Sequence, residues 1–169
     1  MDESRPGPQL SEPAAPLSDQ RESASPALRD AAEIVRRAAD DESAATAARA
    51  RSRTEAPRRL EANERLAALL DRDEWLIAVR TSATLDRREP RPGEPARAGL
   101  GGELAVTSRR LIWAGRQVLT FELAEVEEIV LSGDRLLVVM RDGVGVALDV
   151  DQPRLLRVHI AAARAAARI

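Results

Sequence analysis

The sequence predicts an α+β protein: seven short antiparallel strands closed by one C-terminal helix, preceded by a helical arm and a disordered tail. Three observations predict it. From about residue 74 onward, apolar residues come in short runs of twofold period separated by turn signals, as in half-buried strands. Between about 28 and 72 the composition turns to Ala, Arg and Glu, which are good helix formers. Before that, residues 1–27 carry Pro6, Pro8, Pro13, Pro16 and Pro26 among Ser, Glu and Asp. Such a segment has too few apolar side chains to offset the entropy of ordering it. The resulting division is a tail at 1–27, an arm at 28–72 and a domain at 73–169.

The arm opens with PALRDAAEIVRRAADDESAATAARARSR, whose large apolar residues are Leu28, Ile34 and Val35, followed only by alanines. A helix this poor in apolar bulk frays unless it meets a partner. Pro57 breaks it and is suited to the first turn of a second helix. Within APRRLEANERLAALLDRDE, Leu60, Leu66 and Leu70 then form one narrow stripe. That stripe either lies on the following domain or pairs with a partner helix.

The first strand is EWLIAVRTSATL (74–85), with Trp75, Ile77 and Val79 on one face. Three prolines and four glycines make 86–102 a loop. ELAVTS and RRLIWAG follow as a tight pair, then QVLTFEL, AEVEEIVLSG, DRLLVVMRDG and VGVALDV. Asp142-Gly143 signals a hairpin between the last two runs. The terminal helix takes Asp151 as its N-cap and Pro153 in its first turn. Leu155, Leu156, Ile160, Ala163 and Ala167 share the face that packs on the sheet.

Within this domain GGELAVTSRRLIWAG (101–115) resembles the second and third strands of GRAM-like and bacterial pleckstrin-homology-like domains. The residues that carry the likeness are Gly102, Leu104, Val106, Thr107, Ser108, Arg110, Leu111, Ile112 and Trp113. LDRDEWLIA (70–78) resembles the family's entry into its first strand, and LLVVMRDGVGVAL (136–148) its sixth and seventh. The resemblance covers about 73–169. It implies a seven-stranded antiparallel pleckstrin-homology-like β-barrel or sandwich capped by a C-terminal helix. Thr107-Ser108-Arg109-Arg110 is then a hairpin turn, with Leu104, Val106, Leu111 and Trp113 in or near the core. The resemblance also points to the loop between the first two strands, which grips phosphoinositide head groups in eukaryotic pleckstrin-homology domains. Here that loop holds Arg87, Arg88, Arg91 and Arg97, offset by Asp86, Glu89 and Glu94. The family's lipid-binding pattern also wants basic residues inside the second strand, and ELAVTS has none.

Composition narrows the function. The formal charge is −2, all 26 basic residues are arginine, and lysine, cysteine and tyrosine are absent. Such usage fits a GC-rich bacterial genome, so arginine counts by themselves carry little functional weight. Without cysteine there is no disulfide, thiolate metal site or cysteine nucleophile. Neither a signal peptide nor a spanning run of about 18 apolar residues is expected, which suggests a soluble, cytoplasmic chain. Before residue 72 there are eleven arginines against fourteen acids, and afterwards fifteen against fourteen. With only three aromatic residues, neither part is a nucleic-acid footprint.

His159 is the one histidine, and no serine or carboxylate pair is tied to it by motif, so no catalytic residue is assigned. Gly99-Leu100-Gly101-Gly102 leads into a strand rather than a helix and is no phosphate loop. Glu122, Glu125, Glu127 and Glu128 read as a solvated strand edge rather than a metal cage. The expectation is therefore a non-enzymatic binding or scaffold module without metal or cofactor. It would act by protein–protein contact or self-association through the arm (Leu60, Leu66, Leu70) or a sheet edge. The alternative is weak peripheral binding to anionic lipid at the inner membrane face, through the 86–102 loop.

Overall fold

The computed structural model describes residues 26–88 and 100–167. The chain divides into two units, residues 1–35 and 36–169. In the first, helix α1 (Pro26–Ser52) begins, and Leu28, Ile34 and Val35 are 60–68% exposed on it.

The second unit is built on seven antiparallel strands: β1 (Leu76–Arg88), β2 (Leu100–Thr107), β3 (Arg110–Ala114), β4 (Val118–Glu122), β5 (Val126–Ser132), β6 (Arg135–Met140) and β7 (Gly145–Asp149). They hydrogen-bond in the order β4-β3-β2-β1-β7-β6-β5. The long β1 joins the two halves, pairing with β2 from Leu76 to Leu85 and with β7 from Thr84 to Arg88. Helix α3 (Pro153–Ala166) closes the domain with Leu156, Ile160 and Ala163 in the main core. Seven antiparallel strands closed by one C-terminal helix is the architecture expected from the sequence.

Main-core side chains come from both halves of the sheet: Leu104 and Trp113 from one, Leu136, Val138 and Leu148 from the other. Trp113 is fully buried, and its indole lies flat against two glycines. A Cβ at Gly102 would sit 2.7 Å from its ring, and one at Gly115 only 2.1 Å away. The expected turns are present. Gly143 has φ +83° in the β6–β7 hairpin, where Asp142 Oδ1 accepts the Val144 amide at 2.9 Å. Glu127 and Glu128 are exposed on the edge strand β5, where charge discourages edge-to-edge pairing.

The β2–β3 turn is held by a buried polar cluster. Glu74, its side chain fully buried, accepts from Arg110 Nε at 3.1 Å and Arg110 Nη2 at 2.8 Å. It also accepts from the Thr107 hydroxyl and from the Asp71 amide. Thr107 in turn accepts the amides of Arg109 and Arg110, which closes the turn on itself. Burial pushes the Glu74 carboxyl upward, but these hydrogen bonds and the Arg110 charge outweigh it and hold the pKa below the ordinary value.

The structure departs from the sequence reading at several places. The helix expected after Pro57 is a single turn, α2 (Glu64–Ala67), which starts only at Glu64, where Asn63 caps it by accepting the Leu66 amide. Leu60 instead forms an isolated bridge to Leu76. Trp75, Ile77 and Val79 do not share one face, since a register shift between Leu76 and Ala78 interrupts the alternation. Trp75 and Ile77 pack on the main core, whereas Val79 joins Leu76 in a second cluster. At both ends of the loop expected over 86–102 the chain is strand: residues 86–88 extend β1 along β7, and residues 100–102 begin β2. Asp151 does not cap α3: Gln152 occupies that position with φ 55°, and its side chain makes no capping bond. The cap comes from α1, where buried Asp41 accepts the amides of Arg154 at 2.9 Å and Leu155 at 3.0 Å.

Candidate functional site

The last turns of α1 are rich in alanine, and their small side chains let α3 approach closely. Ala45 and Ala48 are buried against Val158, with Leu155 packed beside them. Leu155 therefore faces α1 rather than the sheet. Past Ser52 the chain leaves this contact and reaches α2 through an irregular segment that includes Pro57. Two adjoining hollows of about 600 and 650 Å³ open where α1, this segment, α3 and the start of β1 meet. Their shared wall is Ser52, Glu55, Ala56, Pro57, Val158 and Ala162.

The larger hollow adds Arg51, Arg58, Arg80 and His159, so three guanidinium groups line it with Glu55 as its one carboxylate. Arg80 projects from β1, and its Nε donates to the Asp151 carbonyl while Nη1 donates to the Val79 carbonyl, both at 2.9 Å. Its Nη2 is buried without a hydrogen-bond partner. Burial lowers the Arg80 pKa, partly countered by the charges of Asp41 and Asp151. His159 Nδ1 is likewise buried and unpartnered. Burial pushes the His159 pKa down to about 4, assisted by the positive charges of Arg80 and Arg51. The imidazole is thus neutral at physiological pH. Helical spacing on α3 foreshadows His159 beside an apolar face. Nothing in the sequence links it to Arg80 or Arg51, which arrive from other elements.

The residues singled out from sequence fall elsewhere. Arg87 and Arg88 lie at the end of β1, opposite Val146 and Gly145 of β7, and Arg91 and Arg97 lie outside the described residues. Leu60, Leu66 and Leu70 form no shared helical stripe. Leu66 is fully buried against Leu76, Ala105, Ile112 and Ala114, and Leu70 packs on the same cluster half-buried. Leu60 is 42% exposed and lines the larger hollow. Among the described residues no three or more His, Cys, Asp or Glu side chains come together as a metal site would need. No helix among them is long and apolar enough to cross a membrane.

Neither a family model nor a curated protein matches the chain. Among solved structures it is similar to the C-terminal domain of an unknown protein from Leishmania infantum, at 15% identity and a TM-score of 0.44 over 60% of this chain and 89% of that one. It is similar to the pleckstrin homology domain of USP37 at 13% identity and a TM-score of 0.39, over 52% and 95% of the two chains. The N-terminal pleckstrin homology domain of human ARAP2 gives 12% identity and a TM-score of 0.37, over 53% and 79%. Likenesses of this size assign no function.

Proposed function

We propose that the chain is a non-enzymatic binding module that acts by protein–protein contact, self-association included, through the first turns of α1. The observation that carries this reading is an uncovered amphipathic surface. Leu28, Ala31, Ala32, Ile34 and Val35 fall within an arc of about 160° on the helix, while Arg29, Asp30 and Glu33 occupy the opposite side. All five apolar residues of the arc are exposed. A helix that presents such a face to water is suited to lie in a partner's apolar groove or against a second helix. Leu66, by contrast, is committed to the domain's own packing.

Light scattering on the full chain tests the reading. Association should raise the apparent mass above the 18.4 kDa of one chain, or permit capture of a partner. Leu28→Ser with Val35→Ser should abolish both. If the double variant matches the parent in mass and in capture, the arm is not the contact surface. The membrane alternative is checked with anionic vesicles. Weak or absent co-sedimentation is expected, because Asp86, Glu89 and Glu94 offset much of the charge of Arg87, Arg88, Arg91 and Arg97. Tight, salt-sensitive binding that is lost when those four arginines become serine would replace the protein-contact reading.

A further inference from the structure

A further candidate site lies in the larger hollow, separate from the exposed first turns of α1. Three observations converge there. Arg80 presents a buried N–H group with no acceptor, although its other two nitrogens are satisfied by carbonyls. His159 Nδ1 is buried nearby and also lacks a partner. Arg51 adds a second guanidinium on the α1 side; among the described residues no carboxylate lies within ion-pair distance of Arg51 or Arg80, although Asp41 and Asp151 act on Arg80 from further away. A buried donor left without an acceptor is costly, and a charged one more so. Apart from Ser52, Glu55 and Arg58, the remaining wall is apolar, with Ala48, Ala56, Pro57, Val158 and Ala162 among its residues. At about 650 Å³ the space exceeds what a lone oxyanion fills and is of the size of small-molecule sites.

We propose that this hollow binds a small organic anion whose phosphate or carboxylate head meets Arg80, Arg51 and His159 while its apolar body lies along Ala56, Pro57 and Ala162. The oxyanion accepts from Arg80 Nη2 and from the Arg51 guanidinium, both charge-assisted bonds. The imidazole can turn a proton to Nδ1 and add a third donor. The charges facing His159 are Arg80 from β1 and Arg51 from α1. Glu55 and Arg58 line the same hollow, and Asp41 and Asp151 act on Arg80. A bound anion would neutralise the two arginines that oppose imidazole protonation, so binding and protonation of His159 should reinforce each other.

Because His159 is the only histidine, its imidazole NMR signals report on the site without assignment ambiguity. The full chain is titrated with inorganic phosphate, octyl phosphate and octanoate. Octyl phosphate or octanoate should move the His159 signals and raise its pKa, and their relative affinities identify the preferred head group. Inorganic phosphate should bind at least about tenfold more weakly, since it buries no methylenes. Arg80→Gln should weaken binding about tenfold, the effect of losing one charge-assisted donor. Arg51→Gln should do the same, and because that side chain is exposed the variant keeps its fold even if the Arg80 variant does not. The proposal is overturned if no probe moves His159 at millimolar concentration, or if Arg51→Gln leaves affinity unchanged. Equal affinity for inorganic and octyl phosphate would overturn the apolar part of the site.

Discussion

Trp113 shows how one side chain dictates its neighbours. The indole can lie inside the β2–β3 hairpin only because Gly102 and Gly115 bring bare backbone to its ring. Gly115→Ala should destabilise the fold by about 1–3 kcal/mol or more, and Gly102→Ala by less, because the added methyl at 115 meets the ring at a shorter distance. Urea unfolding of the two variants measures that order. His159 supplies a residue-scale dependence on pH. Its folded pKa of about 4 lies below the ordinary 6.5, so the unfolded chain takes up the proton first as pH falls. Stability is therefore fully present above pH 6.5 and lost progressively down to about pH 4. From about pH 7 to about pH 4.5 the loss should be about 2 kcal/mol. His159→Gln should remove that share of the slope, and an unchanged profile would show that the imidazole is not buried neutral. Glu74 contributes in the same direction, but its stabilisation is lost only as pH falls below the ordinary carboxylate pKa, 4.5.

At the scale of elements, the decisive contact is between α1 and α3. Asp41 and the amides it caps are 113 and 114 residues apart in sequence. The carboxylate meets the positive end of the α3 dipole, and Arg154 adds ion pairs to Asp41 at 3.6 Å and Glu42 at 3.3 Å. Asp41→Ala should cost about 0.5–2 kcal/mol through the lost cap. It should also reduce helical circular dichroism, since the alanine-rich part of α1 has little else to hold it. Asp151→Ala should do neither, which separates the observed cap from the one that local sequence suggests. No window of sequence around 151 could reveal the true cap. Its weak signal is Asp41 itself, an acid that helical spacing places on the same face as Ala45 and Ala48.

Over the whole molecule, Leu66, Asp41, Ala45 and Ala48 pack on or cap elements beyond residue 73, so the lower limit of the folded domain should lie well before it. Removing 1–35 should leave the thermal transition near that of the full chain. Removing 1–71 should lower it sharply or yield a chain that does not fold, because Leu76, Ile112 and Ala114 lose Leu66 and α3 loses its cap. Scanning calorimetry of the two truncations decides the matter; equal transitions would restore a boundary near 73. The seven strands, the Asp142-Gly143 hairpin and the buried Trp113 were legible in sequence, because twofold alternation and turn chemistry are local properties. The docking of α1 was not, since alanine leaves a faint amphipathic signature and the packing partner is distant in the chain. The arginines at 87 and 88 became strand residues because the long β1 runs on from β2 to β7, a choice made by sheet pairing. Sequence by itself determined which segments extend, which turn and which close the sheet. Only the tertiary structure decided that Asp41 caps a distant helix, that Leu66 is internal, and that Arg80, Arg51 and His159 face one hollow. Those outcomes depend on contacts between separate elements, whose energy no local pattern of residues records.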